Sequence, residues 1–494
     1  MIESPVGLGA SLDGYVYVTD VALDHVQRWT TYGVAAGALV PEGTDTLGLD
    51  VSQDGLIFTT TGTTSGLTER MLTYDWRTGT IPLAVGGHGT APGQFLLPSD
   101  VAADPLGRAF VVEEAGARAQ AFSVGGAALS VFGSLGAGDQ QFSQPQGIAL
   151  GPDRTVYVAD TGNHRISKWK VTVGTVEAPV DGEDRILTAI EASIKAHPAD
   201  GSADIVVLAT AFNWPDALGG SALAGTVNGP LLLTPPNALP ASVAAEITRL
   251  APRRVYVLGG TSAVSDTVMN AAKALTTEGI ATRLWGPDRY ATAIEIAAEV
   301  KAMRGADYDG TAIVCTGADF PDALAAAPVA AANGWPIYLT PGSALPATVS
   351  AAMLRNDWGG NPSNHGYIIG GPAVVSDDVA DTLNATPFMG YMRIWGANRY
   401  ATAAQVARVG YTGLGMLMSR PALATGENYP DALAGGVLQG DDCCPLLLTR
   451  GSTLSPEAAS VLTDYRDMVY EIRYLGGTSV LAPAVRTAAR GLLW

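Results

Sequence analysis

Phe212-Asn213-Trp214-Pro215-Asp216-Ala217-Leu218 returns as Asp319-Phe320-Pro321-Asp322-Ala323-Leu324. It returns again as Asn428-Tyr429-Pro430-Asp431-Ala432-Leu433. Fourteen residues after each Asp an apolar stretch begins: Pro230-Leu231-Leu232-Leu233-Thr234, Pro336-Ile337-Tyr338-Leu339-Thr340 and Pro445-Leu446-Leu447-Leu448-Thr449. Upstream of each copy stands Asp184-Arg185-Ile186-Leu187-Thr188-Ala189, Asp288-Arg289-Tyr290-Ala291-Thr292-Ala293 or Asn398-Arg399-Tyr400-Ala401-Thr402-Ala403. Downstream of each comes a Gly pair: Gly259-Gly260, Gly370-Gly371, Gly476-Gly477. Four motifs in one order, three times over, make a threefold internal repeat.

Within one copy the periodicity changes several times. Asp184 opens a helix to about His197, with Ile186, Ile190 and Ile194 on one face. Ile205 to Ala209 reads as a buried strand. Pro215 opens a second helix, because proline suits a first turn that needs no N–H. Leu231 to Leu233 is a strand, Pro240 to Leu250 a helix, and Val255 to Leu258 a strand. Strands that are apolar on both faces and alternate with helices imply a helix-covered parallel sheet. Three tandem α/β repeats follow, at 183–285, 286–395 and 396–494, in a pseudo-threefold arrangement.

Residues 1–173 repeat differently. Pro5-Val6-Gly7-Leu8, Leu47-Gly48-Leu49-Asp50, Phe95-Leu96-Leu97-Pro98 and Phe142-Ser143-Gln144-Pro145 each precede an alternating apolar run. Those runs include Tyr15-Val16-Tyr17-Val18 and Val156-Tyr157-Val158. The pitch is about 41 to 52 residues. Short alternating strands with glycine turns make one propeller blade per copy. About four blades are expected, an incomplete all-β propeller, with residues 174–182 as a linker. Phe142 to Trp169, with Asp160-Thr161-Gly162-Asn163-His164-Arg165-Ile166, resembles the NHL repeat of six-bladed propellers. In that resemblance Asp160, Asn163, His164 and Arg165 are structural. The chain opens at a blade boundary with no basic or apolar leader, so it is expected to be a segment of a longer protein.

Residues 183–494, about 63% of the chain, resemble three tandem copies of the cell wall binding repeat 2 family (CWB2). The family's Pro-Ile-Leu-Leu motif matches Pro230–Leu233, Pro336–Leu339 and Pro445–Leu448. The resemblance implies a secreted or surface-layer protein of Gram-positive bacteria. Such a protein is held non-covalently on an anionic secondary cell-wall polymer, a polysaccharide or teichoic-type chain. Tyr338 inside the second motif, Asn398 in place of Asp and Ile186 in place of Tyr imply unequal copies.

The candidate polymer-binding residues are Arg185, Arg289, Arg399, Asp216, Asp322, Asp431, Gly259, Gly260, Gly370, Gly371, Gly476 and Gly477. Each Arg lies in the first turn of a helix, where the dipole favours anions. The glycine pairs let backbone approach a ligand at strand C-termini. Three weak sites on a repeating polymer gain by multivalency. A structural reading stands beside this one: Arg pairing with Asp216, Asp322 and Asp431 to lock each repeat, and glycines as turns. Tyr290, Tyr400, Trp285 and Trp395 could stack on sugars, but packing between repeats is the expectation.

Composition narrows the classes. Acidic residues outnumber basic ones 47 to 29, a formal net charge of −18, which disfavours nucleic acid and anionic membrane surfaces. Of the cations, 24 are Arg and 5 are Lys, so bidentate anion sites remain open. A polymer of like charge would need those Arg, or bridging divalent cations. No apolar span is long enough for membrane insertion. The five His do not repeat between copies, and no nucleophile, metal-ligand or phosphate-loop motif occurs. No catalytic residue, metal site or cofactor is therefore assigned. Cys315 reads as core, and the adjacent Cys443 and Cys444 as free thiols. The expectation is a non-catalytic cell-wall surface protein displaying a propeller to an unknown protein or ligand, with room for a homo-oligomer. The alternatives are a surface-layer or filament subunit and a wall enzyme with a propeller-borne lyase or hydrolase site.

Overall fold

The computed structural model describes residues 2–11, 14–23, 25–39, 46–62, 69–75, 79–170, 175–355, 361–385, 387–388 and 390–493. The chain divides into Met1–Gly174 and Thr175–Trp494.

The first unit is four antiparallel sheets in succession. They are β1 Pro5–Ala10, β2 Tyr15–Asp20, β3 His25–Thr30 and β4 Ala35–Leu39; then β5 Thr46–Val51, β6 Ile57–Thr61, β7 Arg70–Asp75 and β8 Thr80–Gly86. Next come β9 Pro98–Ala103, β10 Ala109–Glu113, β11 Arg118–Phe122 and β12 Ala128–Phe132, and finally β13 Pro145–Leu150, β14 Thr155–Asp160 and β15 Arg165–Lys170. The inner strands β1, β5, β9 and β13 lie side by side in chain order, as propeller blades do. Buried carboxylates join them. Asp50 accepts the Ala103 N–H at 2.7 Å, and Asp100 accepts the Ile148 N–H at 2.9 Å. Burial pushes the Asp100 carboxyl up to about 6, and the charge of Asp50 adds to the rise.

The expected structural signature of the fourth blade is present. Asp160 accepts from Ser143 N, Asn163 Nδ2 and Arg165 Nε. Arg165 then donates to the carbonyls of Ala137, Gly138 and Gln141, pinning the loop that enters the blade. Glu113 and Arg118 repeat the device in the third blade, on the carbonyls of Thr90 and Gln94.

The second unit opens with β16 Val176–Val180 and α1 Arg185–Ala196. Then come β17 Ile205–Thr210, α2 Gly220–Thr226, β18 Leu231–Thr234, α3 Ala241–Leu250, β19 Arg254–Leu258, α4 Asp266–Lys273 and β20 Ile280–Leu284. The second copy is α5 Arg289–Arg304, β21 Thr311–Thr316, α6 Pro321–Asn333, β22 Ile337–Thr340, α7 Ala347–Leu354, β23 His365–Ile369, α8 Asp377–Leu383 and β24 Gly390–Ile394. The third is α9 Arg399–Gly413, β25 Ala422–Thr425, α10 Pro430–Asp441, β26 Leu446–Thr449, α11 Pro456–Asp464, β27 Glu471–Leu475 and α12 Pro483–Leu493. The sheets run β18-β17-β19-β20, β22-β21-β23-β24 and β26-β25-β27-β16, all parallel.

The third sheet takes its fourth strand from the start of the module. β16 pairs with β27 from Val176↔Glu471 to Val180↔Leu475. Residues 176–180 were expected to be linker and are instead the strand that closes the ring of repeats. The edge position tolerates Pro179, which has no N–H to give a second neighbour. Glu177 holds Arg490 at 2.8 Å, and Asp181 holds Arg486 at 3.1 Å.

Strand alternation divides the burial. Ile205, Val207, Leu231 and Leu233, with Ile313, Cys315, Ile337, Leu339, Ala422, Ala424, Leu446 and Leu448, share one central core. The intervening Val206, Leu208 and Leu232 face a separate outer core, and the other two copies each have one. α2, α6 and α10 pack on one another in the centre, and each also meets the first helix of the next copy: α2 with α5, α6 with α9, α10 with α1. Tyr338 points to the outer core and shares Ser363 Oγ with Tyr308, so this departure leaves the central face unaltered. The second helix of the first copy starts at Gly220 rather than Pro215, with turns between. Gly219-Gly220, poor helix formers, stand where that helix would propagate.

Val180 is 1% exposed in the closing strand, whereas Val176 is 45% exposed. Val180→Asp is expected to cost the module about 3 kcal/mol or more in denaturant unfolding, by burying a charge, and Val176→Asp well under 1 kcal/mol. Equal effects would show that β16 is not part of the fold.

Candidate functional site

Asp184, Asp288 and Asn398 cap α1, α5 and α9. Their side-chain oxygens accept from Ile186 and Leu187 N, from Ala291 N, and from Tyr400 and Ala401 N respectively. Asn398 therefore replaces Asp without losing the cap. The cap sets the next residue, the Arg, at the first helical position. Arg185 donates to Ala211 O at 3.0 Å, Arg289 to Gly317 O at 2.5 Å and Arg399 to Gly426 O at 2.6 Å. Each Arg thus closes off the carbonyl end of its own copy's first strand.

The guanidinium groups lie over aromatic rings. Arg289 stands 4.9 Å from the Trp214 ring, Arg399 5.8 Å from Phe320, and Arg185 5.6 Å from Phe212. Trp214, Phe320 and Tyr429 precede the three inner helices, and Phe320 meets both of the others, at 6.0 Å and 5.8 Å between centroids. Tyr429 donates to Ala211 O, the carbonyl that Arg185 also holds. The three half-buried Arg are therefore gathered around one aromatic cluster at the centre. Arg399 also pairs with Asp319 at 3.2 Å. The corresponding residues of the other copies are Asn213 and Asn428.

The three Asp do not lock single copies. Asp216 faces Arg289 and Thr292, both in the following copy. Asp322 stands in the same way to Arg399 and Thr402. Asp431 stands so to Arg185 and Thr188, which belong to the first copy, so the ring is closed. One of the two readings of these residues had each Arg pair with the Asp of its own copy; instead each Asp faces the Arg of the following copy. Burial raises the carboxyls of Asp216 and Asp431, and pushes Asp322 up to about 6, with the charge of Asp319 adding there.

The first glycine of each pair has a structural duty at the same carboxylate. Gly259, Gly370 and Gly476 have φ of 90°, 125° and 98°. A Cβ on them would stand 2.8, 2.7 and 2.6 Å from Oδ2 of Asp216, Asp322 and Asp431. Their carbonyls are held by three Arg that the sequence reading passed over: Arg283 at 2.8 Å, Arg393 at 2.9 Å and Arg486 at 2.9 Å. Arg283 and Arg393 each stand six residues before the capped Arg, a spacing that was visible. Arg486 reaches the third junction from α12, where β16 carries Pro179, and no spacing announces it.

The second glycines lie against indole rings. A Cβ on Gly260 would meet Trp285 Cε3 at 3.6 Å, and one on Gly371 would meet Trp395 Cε3 at 2.7 Å. Trp285 and Trp395 are 53% and 48% exposed, so the expectation that they pack between copies is corrected. Tyr290 and Tyr400 do pack against the central core. Each has a glycine opposite, Gly317 and Gly426, whose Cβ would stand 2.7 and 2.8 Å from the ring. Where Ile186 replaces Tyr, Ala211 replaces the glycine, so this departure is repaired in space.

Thus the module is three four-stranded parallel sheets in a closed threefold ring, with one motif set at each junction. The sequence profile described as cell wall binding domain 2 (CWB2) matches residues 180–269, 283–380 and 393–486. The chain belongs to the CWB2 family. An NHL repeat profile matches residues 142–169, the last blade. N-acetylmuramoyl-L-alanine amidase LytC of Bacillus subtilis (strain 168) is 30% identical over 284 residues, 57% of this chain and 52% of LytC. The chain therefore spans about half the length of that curated relative. Among solved structures, Cwp8 from Clostridium difficile aligns with TM-score 0.55 and 23% identity, over 69% of this chain and 58% of Cwp8. Cwp6 from the same organism aligns with TM-score 0.59 and 18% identity, over 99% of this chain and 67% of Cwp6. At these identities the two structures establish fold. Among the described residues no helix of this CWB2 protein is long and apolar enough to cross a membrane.

Two substitutions test the junction. Gly370→Ala forces a side chain into positive φ and against Asp322, and should cost about 2 kcal/mol or more in thermal or denaturant unfolding. Asp322→Asn removes a carboxyl whose folded pKa stands above its unfolded one. Such a carboxyl stabilises the fold below about pH 4 and loses that contribution as pH rises through about 6. The variant's stability relative to the native chain should therefore rise between about pH 4 and pH 7, by no more than about 3 kcal/mol. A flat difference over that range would refute the raised pKa.

Proposed function

We propose that this CWB2 protein is a non-catalytic cell-wall anchor. Its three repeats bind an anionic secondary wall polymer, polysaccharide or teichoic-type, and its propeller is offered to a protein or small-molecule partner. The observation that carries the reading is the gathering of Arg185, Arg289 and Arg399 around Trp214, Phe320 and Tyr429. Each guanidinium is held before any ligand arrives, by a strand-end carbonyl and an aromatic face. Orienting costs are thereby met in folding, not in binding. A planar, permanently charged fork suits phosphate or carboxylate oxygens, and aromatic faces suit sugar rings.

Repetition supports a binding role over a catalytic one. Asp216, Asp322 and Asp431 stand three times in one structural setting, each against a glycine of positive φ. The formal charge of −18 opposes a polyanion at long range. Contacts at the Arg are short, where screening by salt matters least, and divalent cations can bridge the remaining acidic groups.

The test is co-sedimentation of the full chain with purified walls of the producing organism, intact or stripped of anionic polymer by acid. Binding to intact walls alone is expected. Arg289→Gln, and its counterparts at 185 and 399, should each weaken it about tenfold or more at a circular dichroism spectrum like that of the native chain. Equal binding to intact and stripped walls, or to neither, would discard the polymer-anchor reading.

A further inference from the structure

We infer that Trp285 and Trp395 are two sugar-stacking platforms of the module, and that the third junction has none. The inference rests on the wall-polymer reading and adds how the sugar rings are held.

The two Trp follow β20 and β24 directly and stand at the C-terminal ends of their sheets. Each indole has its Cε3 edge on the backbone of a second glycine, Gly260 or Gly371. The close approach at Gly371 admits no side chain there. The first glycine of each pair is held below by Arg283 or Arg393, whose side chains are only 11% and 14% exposed. The platform thus has a rigid floor, while each Trp is about half exposed to solvent, at 53% and 48%. An open indole on a rigid floor offers a large flat apolar face at little entropic cost, which suits the C–H face of a pyranose ring.

The third junction keeps the floor and loses the platform. Gly476 O is held by Arg486 at 2.9 Å. The position after the strand is Asp181, paired with that same Arg486 at 3.1 Å. A Cβ on Gly477 would meet nothing nearer than Ser479 Oγ at 4.0 Å. A carboxylate there repels an anionic chain, whereas the two Trp accept its sugar faces. The surroundings also differ: exposed Thr261 and Ser262 flank Gly260, and exposed Pro372 and Ala373 flank Gly371.

The full chain is tested with Trp285→Ala, Trp395→Ala and the double variant, by co-sedimentation with intact, purified walls of the producing organism. Each single variant should bind about three- to tenfold more weakly, and the double variant by about the product. Trp285→Phe and Trp395→Phe should keep part of the binding, and melting temperatures should stay at the native value. Polymer released from those walls by acid should shift the indole emission of the native chain more than that of the double variant, which keeps Trp214 at the central cluster. If the double variant holds walls like the native chain while Arg289→Gln has lost them, the platforms are refuted and the anchor reading stands. If the native chain fails to hold intact walls, both are refuted. If the double variant sediments as a smaller species with wall binding unaltered, the indoles bury against a second copy and the sugar platform is refuted.

Discussion

One carboxylate per junction organises the C-terminal module. Asp216, Asp322 and Asp431 each sit against a glycine of their own copy and face an arginine and a threonine of the next. Burial makes each carboxyl costly to ionise, so its partners must be in place before the charge is tolerated. Copies that met in another order or register would strand three buried acids. The arrangement therefore rewards ring closure over an open row, and the last junction, Asp431 against Thr188, is where the row becomes a ring.

Closure also explains the role of β16 and the inner helices. An open row would leave β27 as a sheet edge, ready to pair with another chain. β16 covers that edge, at its own edge position where Pro179 does no harm. The three inner helices, rich in small residues, approach closely: a Cβ on Gly436 would stand 2.8 Å from Ala327, and one on Gly440 2.4 Å from Ala331. That packing brings the aromatic residues before those helices to one point, and the capped Arg with them. The central cluster is thus a by-product of closure, and its geometry is as rigid as the ring.

Much of this was legible. Unbroken apolar runs located β17, β18 and β19, and the cap residue located α1 to within a residue or two. The propeller blades followed from alternation and glycine turns. Two errors have physical causes. The linker at 174–182 hid a strand because Val176-Glu177-Ala178-Pro179-Val180 carries a proline and too short an apolar pattern; its partner is almost three hundred residues away. Trp285 and Trp395 were expected to pack between copies, with stacking on sugars as the other reading. The glycines that floor them leave one side of each ring open instead.

By itself the sequence determined the count of repeats, the α/β class, the propeller class and the residues that recur at every junction. These follow from local propensity, from burial pattern and from identity at fixed spacing, all of which are written along the chain. Only the tertiary structure decided which copy each Asp serves, which strand completes the third sheet and which indoles face water. Those are questions of who stands next to whom after closure. In a ring of copies with one fold and shared motifs, the same motif can meet its own partner or its neighbour's with no change in the sequence. Three-dimensional packing chooses the neighbour, and it sets every buried carboxylate beside the arginine and threonine of the next copy.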